Sequence, residues 1–346
     1  LGAAMQHAGT IQHVSFRRDS AVLVTASNDG TAQLWDAASG EPSSPALDHR
    51  SRAVVAAVFS PDGRVLATGD SAGIVRIWNG ETGELVHAFE SASGPANSIA
   101  FSPDAARVVV GSASPDNGVR VWDAKSFELL WKSTEATGHR GRVRMVSVSP
   151  NGRVIASASN DETVKFWDAE SGQRIGEPLP HGGEVFVVAF SPDSQLAVTG
   201  GYDATVRLWK VPTGQLVGEP MRHAGLVTAA VFSPDGHTLL TGSADWSARL
   251  WDVTTCLPLC PPVRHNGELM SVALDRTGRI ALTGRLWHLP APLPDDQALI
   301  DLWVQLATQR KLAAGGNIDW LDPAALAKLA SEFHTRTGRS WSEWAD

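Results

Sequence analysis

The sequence predicts an all-β fold in which seven four-stranded antiparallel sheets form a ring, and three observations support it. Tryptophans recur at near-constant spacing, each at the end of a short apolar run: Trp35, Trp78, Trp122, Trp167, Trp209, Trp251 and Trp287. A turn such as SPDG at 233–236 stands between two alternating apolar runs in most of these units. A unit of about forty residues has room for four short strands, and this period is typical of β-propeller blades.

Composition and charge narrow the class of partner. The chain has 346 residues, of which 43% are hydrophobic, so a large core is expected. Its formal net charge is −8, which disfavours nucleic acid and anionic membranes as partners. No apolar run approaches the ~18 residues that a membrane-spanning helix needs. We therefore expect no nucleic-acid partner and no membrane partner.

The two cysteines favour a reducing compartment. Cys256 and Cys260 are four residues apart, and in a strand this separation of roughly 13 Å is too long for a disulfide. Only His265 lies nearby as a further metal ligand, too few for a metal site. We predict two free thiols, a cytoplasmic location, no metal and no cofactor.

The repeated unit resembles the WD-repeat (WD40) family over residues 1–290. That resemblance implies a hydrogen-bonded set within each blade: a His before the first strand, Ser or Thr on the second, Asp in the next turn and Trp on the third. Four units hold the full set: His7, Thr25, Asp29 and Trp35; His139, Ser157, Asp161 and Trp167; His181, Thr199, Asp203 and Trp209; His223, Thr241, Asp245 and Trp251. Because the set recurs in unit after unit, a structural role is favoured over a catalytic one, and no catalytic residue is predicted.

Two blades depart from this pattern. The second has Ala72 where the Asp is expected, and the third keeps Asp116 and Trp122 but lacks the His. A missing partner leaves buried polar groups unpaired at ~1–3 kcal/mol each. We expect these two blades to be held together less tightly.

The first residues of the chain are predicted to close the ring. The sequence LGAAMQHAG at 1–9 matches VGEPMRHAG at 217–225 in five of nine positions. In the prediction, residues 217–225 form an outer strand and then enter the next blade. Residues 1–7 are therefore predicted to be the outer strand of the seventh blade, which removes two free sheet edges.

The seventh blade is unusually short. The Thr-Gly and Arg-Leu-Trp of 241–251 are separated by six residues, whereas the same landmarks adjoin at 283–287. Antiparallel strands need a loop of at least two residues. We expect about six residues, including the blade's Asp, to be absent from this numbering between Gly284 and Arg285.

Residues 291–346 are predicted to form a small C-terminal α-helical extension. Asp295 can cap a first helix that ends near Arg310 and Lys311, and Asp322-Pro323 can start a second. This tail resembles the ends of large bacterial WD-repeat proteins, some of which carry serine/threonine kinase domains. The resemblance implies that the chain is a trimmed part of a larger signalling protein, which also fits a start at Leu1 rather than Met.

The predicted function is a non-enzymatic platform for protein partners, monomeric as a fragment. The alternatives are an enzyme with a site in the central channel, or a structural, oligomerising ring. A channel site would need converging acids, His residues or a metal. The inner-strand positions aligned with Gln12 and with His13 contain no Asp or Glu.

The partner is predicted to bind at the end of the ring where inner strands begin. Trp, Tyr and Arg are enriched in binding hot spots. The aromatic, Arg and Met residues at strand starts and Asp turns of this end are the predicted contacts: Arg142, Arg144, Phe186, Tyr202, Trp246 and Met270.

Overall fold

Six four-stranded antiparallel sheets follow one another along the chain, and each is one blade with its strands in chain order. The computed structural model describes residues 5–134, 136–274, 280–282, 286–288, 310–312, 318–320 and Ser331. The strands of blades 1 to 3 are β1 (Ile11–Phe16), β2 (Val22–Ser27), β3 (Thr31–Asp36), β4 (Leu47–Asp48), β5 (Val54–Phe59), β6 (Val65–Asp70), β7 (Ile74–Asn79), β8 (Leu85–Glu90), β9 (Ala96–Phe101), β10 (Arg107–Ser112), β11 (Val119–Asp123) and β12 (Leu129–Lys132).

Blades 4 to 6 repeat the arrangement. Their strands are β13 (Val143–Val148), β14 (Val154–Ser159), β15 (Thr163–Asp168), β16 (Arg174–Pro180), β17 (Val185–Phe190), β18 (Leu196–Gly201), β19 (Thr205–Lys210), β20 (Leu216–Arg222), β21 (Val227–Phe232), β22 (Thr238–Ser243), β23 (Ser247–Asp252) and β24 (Val263–Arg264). The predicted all-β class with four-stranded antiparallel blades is therefore confirmed for six units.

The turns between first and second strands use the predicted chemistry. Ser60 Oγ donates to Asp62 Oδ1 over 2.6 Å, and Ser191 Oγ does the same to Asp193. The residue that follows is left-handed, with φ of 73° at Gly63, 58° at Ala105 and 62° at Ser194. Ala105 and Ser194 therefore adopt this conformation at the cost expected for a residue with a Cβ.

The hydrophobic core lies between neighbouring blades. In the cluster between blades 4 and 5, Val185, Val188 and Phe190 of an inner strand pack against Phe166 of the preceding blade. Each sheet needs cover on both faces, and stacking the blades supplies it. This explains why the strand sequences are apolar almost throughout.

Blade 1 presents one face without such cover. Ile11, Val14 and Phe16 are 41%, 52% and 55% exposed. Their equivalents in blade 2, Val54, Ala57 and Phe59, are buried against blade 1. The uncovered face is the one that a preceding seventh blade would contact.

The seventh sheet is described as three short strands, β25 (Ala273–Leu274), β26 (Ile280–Leu282) and β27 (Leu286–His288). Ala281 pairs with Trp287, as Leu239 pairs with Trp251 in blade 6. The register of this hairpin is thus kept at the Trp end, although the sequence between the shared landmarks is six residues shorter than in blade 6. Leu282 pairs with Leu286, and the three residues between them in the sequence, 283–285, are enough for a hairpin loop. The Cα–Cα distance between Gly284 and Arg285, which would test for absent residues, lies outside the described residues.

Closure by the N-terminus stays a prediction. Residues 1–4 lie outside the described residues, and Met5, Gln6 and His7 belong to no strand. The seventh blade's outer strand is likewise not among the strands described.

The C-terminal prediction is corrected at one point. Arg310–Leu312 (β28) pairs with Ile318–Trp320 (β29) as an antiparallel hairpin, where a helix end was expected. Ser331, within the predicted second helix, is helical. The rest of both predicted helices lies outside the described residues.

Candidate functional site

In four blades, a chain of hydrogen bonds runs from the third strand to the second strand, to a His that precedes the first strand, and to the Asp turn. In blade 4, Trp167 Nε1 donates to Ser157 Oγ over 2.9 Å, and this oxygen lies 2.7 Å from His139 Nε2. His139 Nδ1 lies 2.8 Å from Asp161 Oδ2. The same contacts occur in blade 1 through His7, Thr25, Asp29 and Trp35, in blade 5 through His181, Thr199, Asp203 and Trp209, and in blade 6 through His223, Thr241, Asp245 and Trp251.

The chemistry of the groups fixes the direction of this chain. An indole N–H only donates, so the hydroxyl of Ser157 accepts it and must donate its own proton to His139 Nε2. Nδ1 then carries the ring proton and donates it to Asp161. Burial lowers the pKa of His139, which keeps the ring neutral at neutral pH.

The carboxylate at the end of the chain shapes the turn. Asp161 accepts the backbone N–H of Arg140 over 2.9 Å and that of Thr163 over 3.1 Å. Burial raises the pKa of Asp161, but hydrogen bonds from His139 and Thr163 outweigh burial and hold the pKa well below its usual range. The hydrogen-bonding groups of the His–Asp pair are thus used to hold the blade together, and the recurrence of the pair in four blades favours a structural role.

The expectation for blade 2 is wrong, because a different residue supplies the carboxylate. Asp70, two positions before Ala72, lies 3.2 Å from His49 Nδ1 and accepts a bond from Arg76 Nη1 over 3.0 Å. The side chains of His49 and Asp70 are fully buried. Burial raises the pKa of Asp70, yet hydrogen bonds from His49 and two backbone amides bring it to about 2. The chain of hydrogen bonds is therefore complete in blade 2, and the buried guanidinium of Arg76 is added to it.

Blade 3 lacks the chain, as its sequence indicated. Val110 occupies the position of the hydroxyl residue, because it pairs with Arg120, two residues before Trp122, as Thr25 pairs with Gln33, two residues before Trp35. Trp122 Nε1 is buried without a hydrogen-bond partner. Asp116 pairs instead with Arg120, whose Nη2 donates to Oδ1 over 3.0 Å.

The start of each inner strand and the Asp turn lie at one end of the blade, here called the upper end. In blade 5, Val185 pairs with Gly201, and Tyr202 N donates to Glu184 O over 2.8 Å. The side chains predicted to bind a partner come from these two places. The structure therefore puts them at equivalent positions in neighbouring blades.

Three of these residues make direct contact. The Arg144 guanidinium lies 4.4 Å from the Phe186 ring centroid, and the rings of Phe186 and Tyr202 are 5.8 Å apart at 56°. Arg144 Nε donates to Asn160 Oδ1 over 2.6 Å, and Nη2 donates to Glu184 Oε2 over 3.3 Å. Tyr202 is 62% exposed. The cluster is thus a held guanidinium with an aromatic pair facing solvent.

Trp246 occupies a strained position in the turn of blade 6. Its φ is 65° and its side chain is 52% exposed. The same turn position holds Gly30, Glu162 and Ala204, with φ of 91°, 67° and 58°. A left-handed conformation is costly for a bulky residue, and such strain is found preferentially at functional sites. The turn needs the conformation but not the indole.

The remaining predicted contacts flank this group. Arg142 Nη2 donates to Asn97 Oδ1 on the neighbouring inner strand, and Nε is buried without a partner. Burial and the nearby charge of Arg144 lower the pKa of Arg142. Met270 is the most exposed large apolar side chain of the described residues, at 72%.

Sequence reasoning did not identify Asn160 and Glu184, which hold the Arg144 guanidinium in place. Glu184 directly precedes an inner strand and Asn160 directly follows a second strand, so both sit at the upper end. Their place beside a predicted contact was the available signal.

Three observations concern metal ligation, the cysteines and membrane-spanning helices. Within the described residues, no group of three or more His, Cys, Asp or Glu is placed to hold a metal ion. Cys256 and Cys260 form no disulfide with each other, and burial raises the pKa of Cys260 to about 11. In the part of the chain that the structure describes, no helix has the length and apolarity to cross a bilayer.

Comparison with known families now assigns the class. The WD domain, G-beta repeat model matches residues 4–36, 132–168, 172–210 and 214–252. The model of the anaphase-promoting complex subunit 4 WD40 domain matches residues 46–104. The chain therefore belongs to the WD-repeat family, which generally provides non-enzymatic scaffolds for protein interaction.

Two relatives are similar over part of the chain. The WD repeat-containing protein slp1 of Schizosaccharomyces pombe is 30% identical over 182 residues, 52% of this chain and 37% of the relative. The WD repeat-containing protein WDS homolog of Arabidopsis thaliana is 26% identical over 151 residues, 42% of this chain and 28% of the relative. The matched region thus spans about a third of each relative's length, and the similarity concerns the repeats.

Proposed function

We propose that this chain is a protein-interaction module, cytoplasmic and monomeric by itself, that binds its partner across the upper end of blades 4 to 6. The observation that carries the proposal is the group formed by Arg144, Phe186 and Tyr202, with Trp246 at the same end of the next blade. Its membership of a family of interaction scaffolds supports the same conclusion. The resemblance of the tail supports a place within a larger bacterial signalling protein.

The chemistry of the group indicates the kind of ligand. Exposed Tyr and Trp offer large apolar contact areas at low cost in side-chain entropy. Arg142 and Arg144 add two guanidinium groups, of which Arg144 is already oriented by Glu184 and Asn160. A peptide or loop with an apolar anchor beside an acidic or carbonyl group fits this arrangement.

The test is affinity capture with the tagged chain, followed by mass spectrometry, comparing wild type with Trp246→Ala. Alanine is already present at the equivalent turn position as Ala204, with φ of 58°. The fold should therefore tolerate the change, and the melting temperature should stay the same. We expect capture to weaken by about 2 kcal/mol or more, which is the range of an interface hot spot.

Glu162→Ala is the matched control, since it changes the same turn position in blade 4. It should leave capture unchanged. Capture that survives both Trp246→Ala and Arg144→Ala, with both variants folded, would exclude the upper end as the binding surface.

A further inference from the structure

We propose that the outer edge of blade 2 is a second docking surface, on which an extended, partly acidic segment of a partner protein adds a strand beside β8. This mode of binding uses the unpaired backbone groups of an edge strand for affinity and the flanking side chains for specificity. It lies on the side of the ring, away from the upper-end group described above.

The backbone geometry shows which groups of β8 are available. Ser91 N donates to Gly73 O over 2.8 Å, so the N–H groups of alternate residues, Phe89 and His87, also point toward the paired strand β7. The N–H groups of Ala88 and Glu90 then point away from the sheet. β8 is the last strand of its sheet, and it pairs on one side.

Other blades close this edge with proline. The residue equivalent to Ser91 is His181, His223 and His265 in blades 4 to 6, by its bond to the turn carbonyl. Three residues before each stands Pro178, Pro220 or Pro262. A proline at this position cannot offer an outward donor, which is a known protection of edge strands. Blade 2 has Ala88 there, and the neighbouring blade 3 has Leu130.

The unprotected edge is also apolar. Leu85 and Val86 of β8 are 54% and 59% exposed, and Leu129 and Leu130 of β12 are 41% and 48% exposed. These strands belong to adjacent blades. An exposed apolar edge without proline is a template for pairing with another chain.

An aromatic stack fills the space between the two edges. Phe127 lies flat on His87, with ring centroids 4.4 Å apart and an angle of 6°, and Phe89 contacts Trp122 at 4.6 Å. Phe127 has φ of 60° at a turn position that holds Gly83 in blade 2 and Gly172 in blade 4. A bulky residue in this conformation is strained. The side chain at this turn position is therefore an aromatic ring that lies beside the free edge.

Charge identifies the segment that fits. A groove along β8 is lined by Arg50 and Arg52 together with Ala88 and Glu90, and Leu85 and Phe89 line it as well. Neither of the two exposed arginines has an ion-pair partner among the described residues. A segment that alternates apolar side chains with acidic ones would direct the apolar side chains toward blade 3 and an acidic one toward these arginines.

The experiment selects a phage-displayed library of random peptides on the full chain, with Ala88→Pro as the counter-target. Ala88→Pro copies what blades 4 to 6 already carry, so the ring should melt as the wild type does. Selected peptides are then synthesised and titrated. We expect alternating apolar and acidic sequences that lose at least about tenfold in affinity on Ala88→Pro. Arg52→Glu should weaken these peptides as well.

Ala46→Pro is the matched control, because Ala46 stands three residues before His49 at the equivalent place in blade 1. It should bind the selected peptides as the wild type does. Amide hydrogen exchange on the wild type gives a second readout that does not depend on any variant folding. Peptide binding should protect the amides of Ala88 and Glu90.

Three results would overturn the proposal. One is a selection that enriches no sequence on the wild type over Ala88→Pro. Another is protection that falls at the upper end, with loss of binding on Trp246→Ala instead. The third is a wild-type chain that sediments as a dimer and becomes a monomer with Ala88→Pro, which would assign the edge to a second copy.

Discussion

Removal of one hydroxyl should show how much the hydrogen-bond chain stabilises a blade. In Ser157→Ala, Trp167 Nε1 loses its acceptor and His139 Nε2 loses its donor. Trp167 is 0% exposed and His139 is 7% exposed, so water cannot replace either partner. Each orphaned group costs ~1–3 kcal/mol, and we therefore expect a loss of about 2–6 kcal/mol in the free energy of unfolding.

Blade 3 offers the reverse experiment in the same molecule. Val110→Thr places a hydroxyl at the equivalent position, where Trp122 Nε1 is buried without a partner. The two side chains are nearly the same size, so packing changes little. The indole gains an acceptor, but blade 3 has no His to accept the proton of the new hydroxyl, so we expect a net change of less than about 1 kcal/mol.

The assay is urea denaturation followed by tryptophan fluorescence, with the slope compared between variants to check that the unfolding transition is of the same kind. A change of less than ~0.5 kcal/mol in Ser157→Ala, the size of an ordinary surface substitution, would refute the reasoning. A Val110→Thr variant that is destabilised as strongly as Ser157→Ala would show that the new hydroxyl does not accept the indole N–H of Trp122.

Three more perturbations test the fold. Burial lowers the pKa of His49, His139 and His223, and hydrogen bonding lowers the pKa of Asp161 and Asp203 despite burial. The unfolded chain therefore binds more protons than the folded chain as pH falls, so the melting temperature should fall below about pH 6.5 and fall again below about pH 4. A melting temperature that does not change with pH would contradict this. Asp70→Asn should lower the free energy of unfolding, measured by chemical denaturation, by ~3–5 kcal/mol, because the buried Arg76 cation beside His49 loses its carboxylate partner. Asp19→Asn, which changes an exposed carboxylate, is the control and should change the free energy of unfolding little. If the seventh blade closes on β1, Phe16→Ala should destabilise like Phe59→Ala, at ~3–5 kcal/mol, and deletion of residues 1–6 should lower the melting temperature; stability unchanged by both would argue for an open ring.

The strand framework was predictable because each unit repeats it. Trp35 and its equivalents, the Pro-Asp turns and the alternating apolar runs each appear several times, so a chance match in one unit is corrected by the others. The set formed by His139, Ser157, Asp161 and Trp167 makes the contacts that the family resemblance implied.

What the sequence did not predict depends on distances that repeats do not report. Asp70 replaces the missing turn carboxylate because the end of a second strand lies as near to His49 as the turn does. The contact of Arg144 with Glu184 joins residues forty apart on different blades. The hairpin of β28 and β29 belongs to a segment that is not repeated in the chain, so its helix-like sequence could not be compared with equivalent units.

The Asp turn has a consequence for how new specificity can arise on this scaffold. The backbone after the carboxylate is fixed by the Asp side chain, which accepts the N–H of Thr31, Thr163, Thr205 or Ser247 over 2.9 to 3.1 Å. The residue in between is held in position by its neighbours and contributes nothing to that hold, so glycine, glutamate, alanine and tryptophan have all been accepted there. A single codon change at Glu162, Ala204 or Trp246 can therefore alter the surface that a blade presents with little effect on its fold, whereas a Cβ at Gly30 would meet the backbone of Ser51 at 2.6 Å.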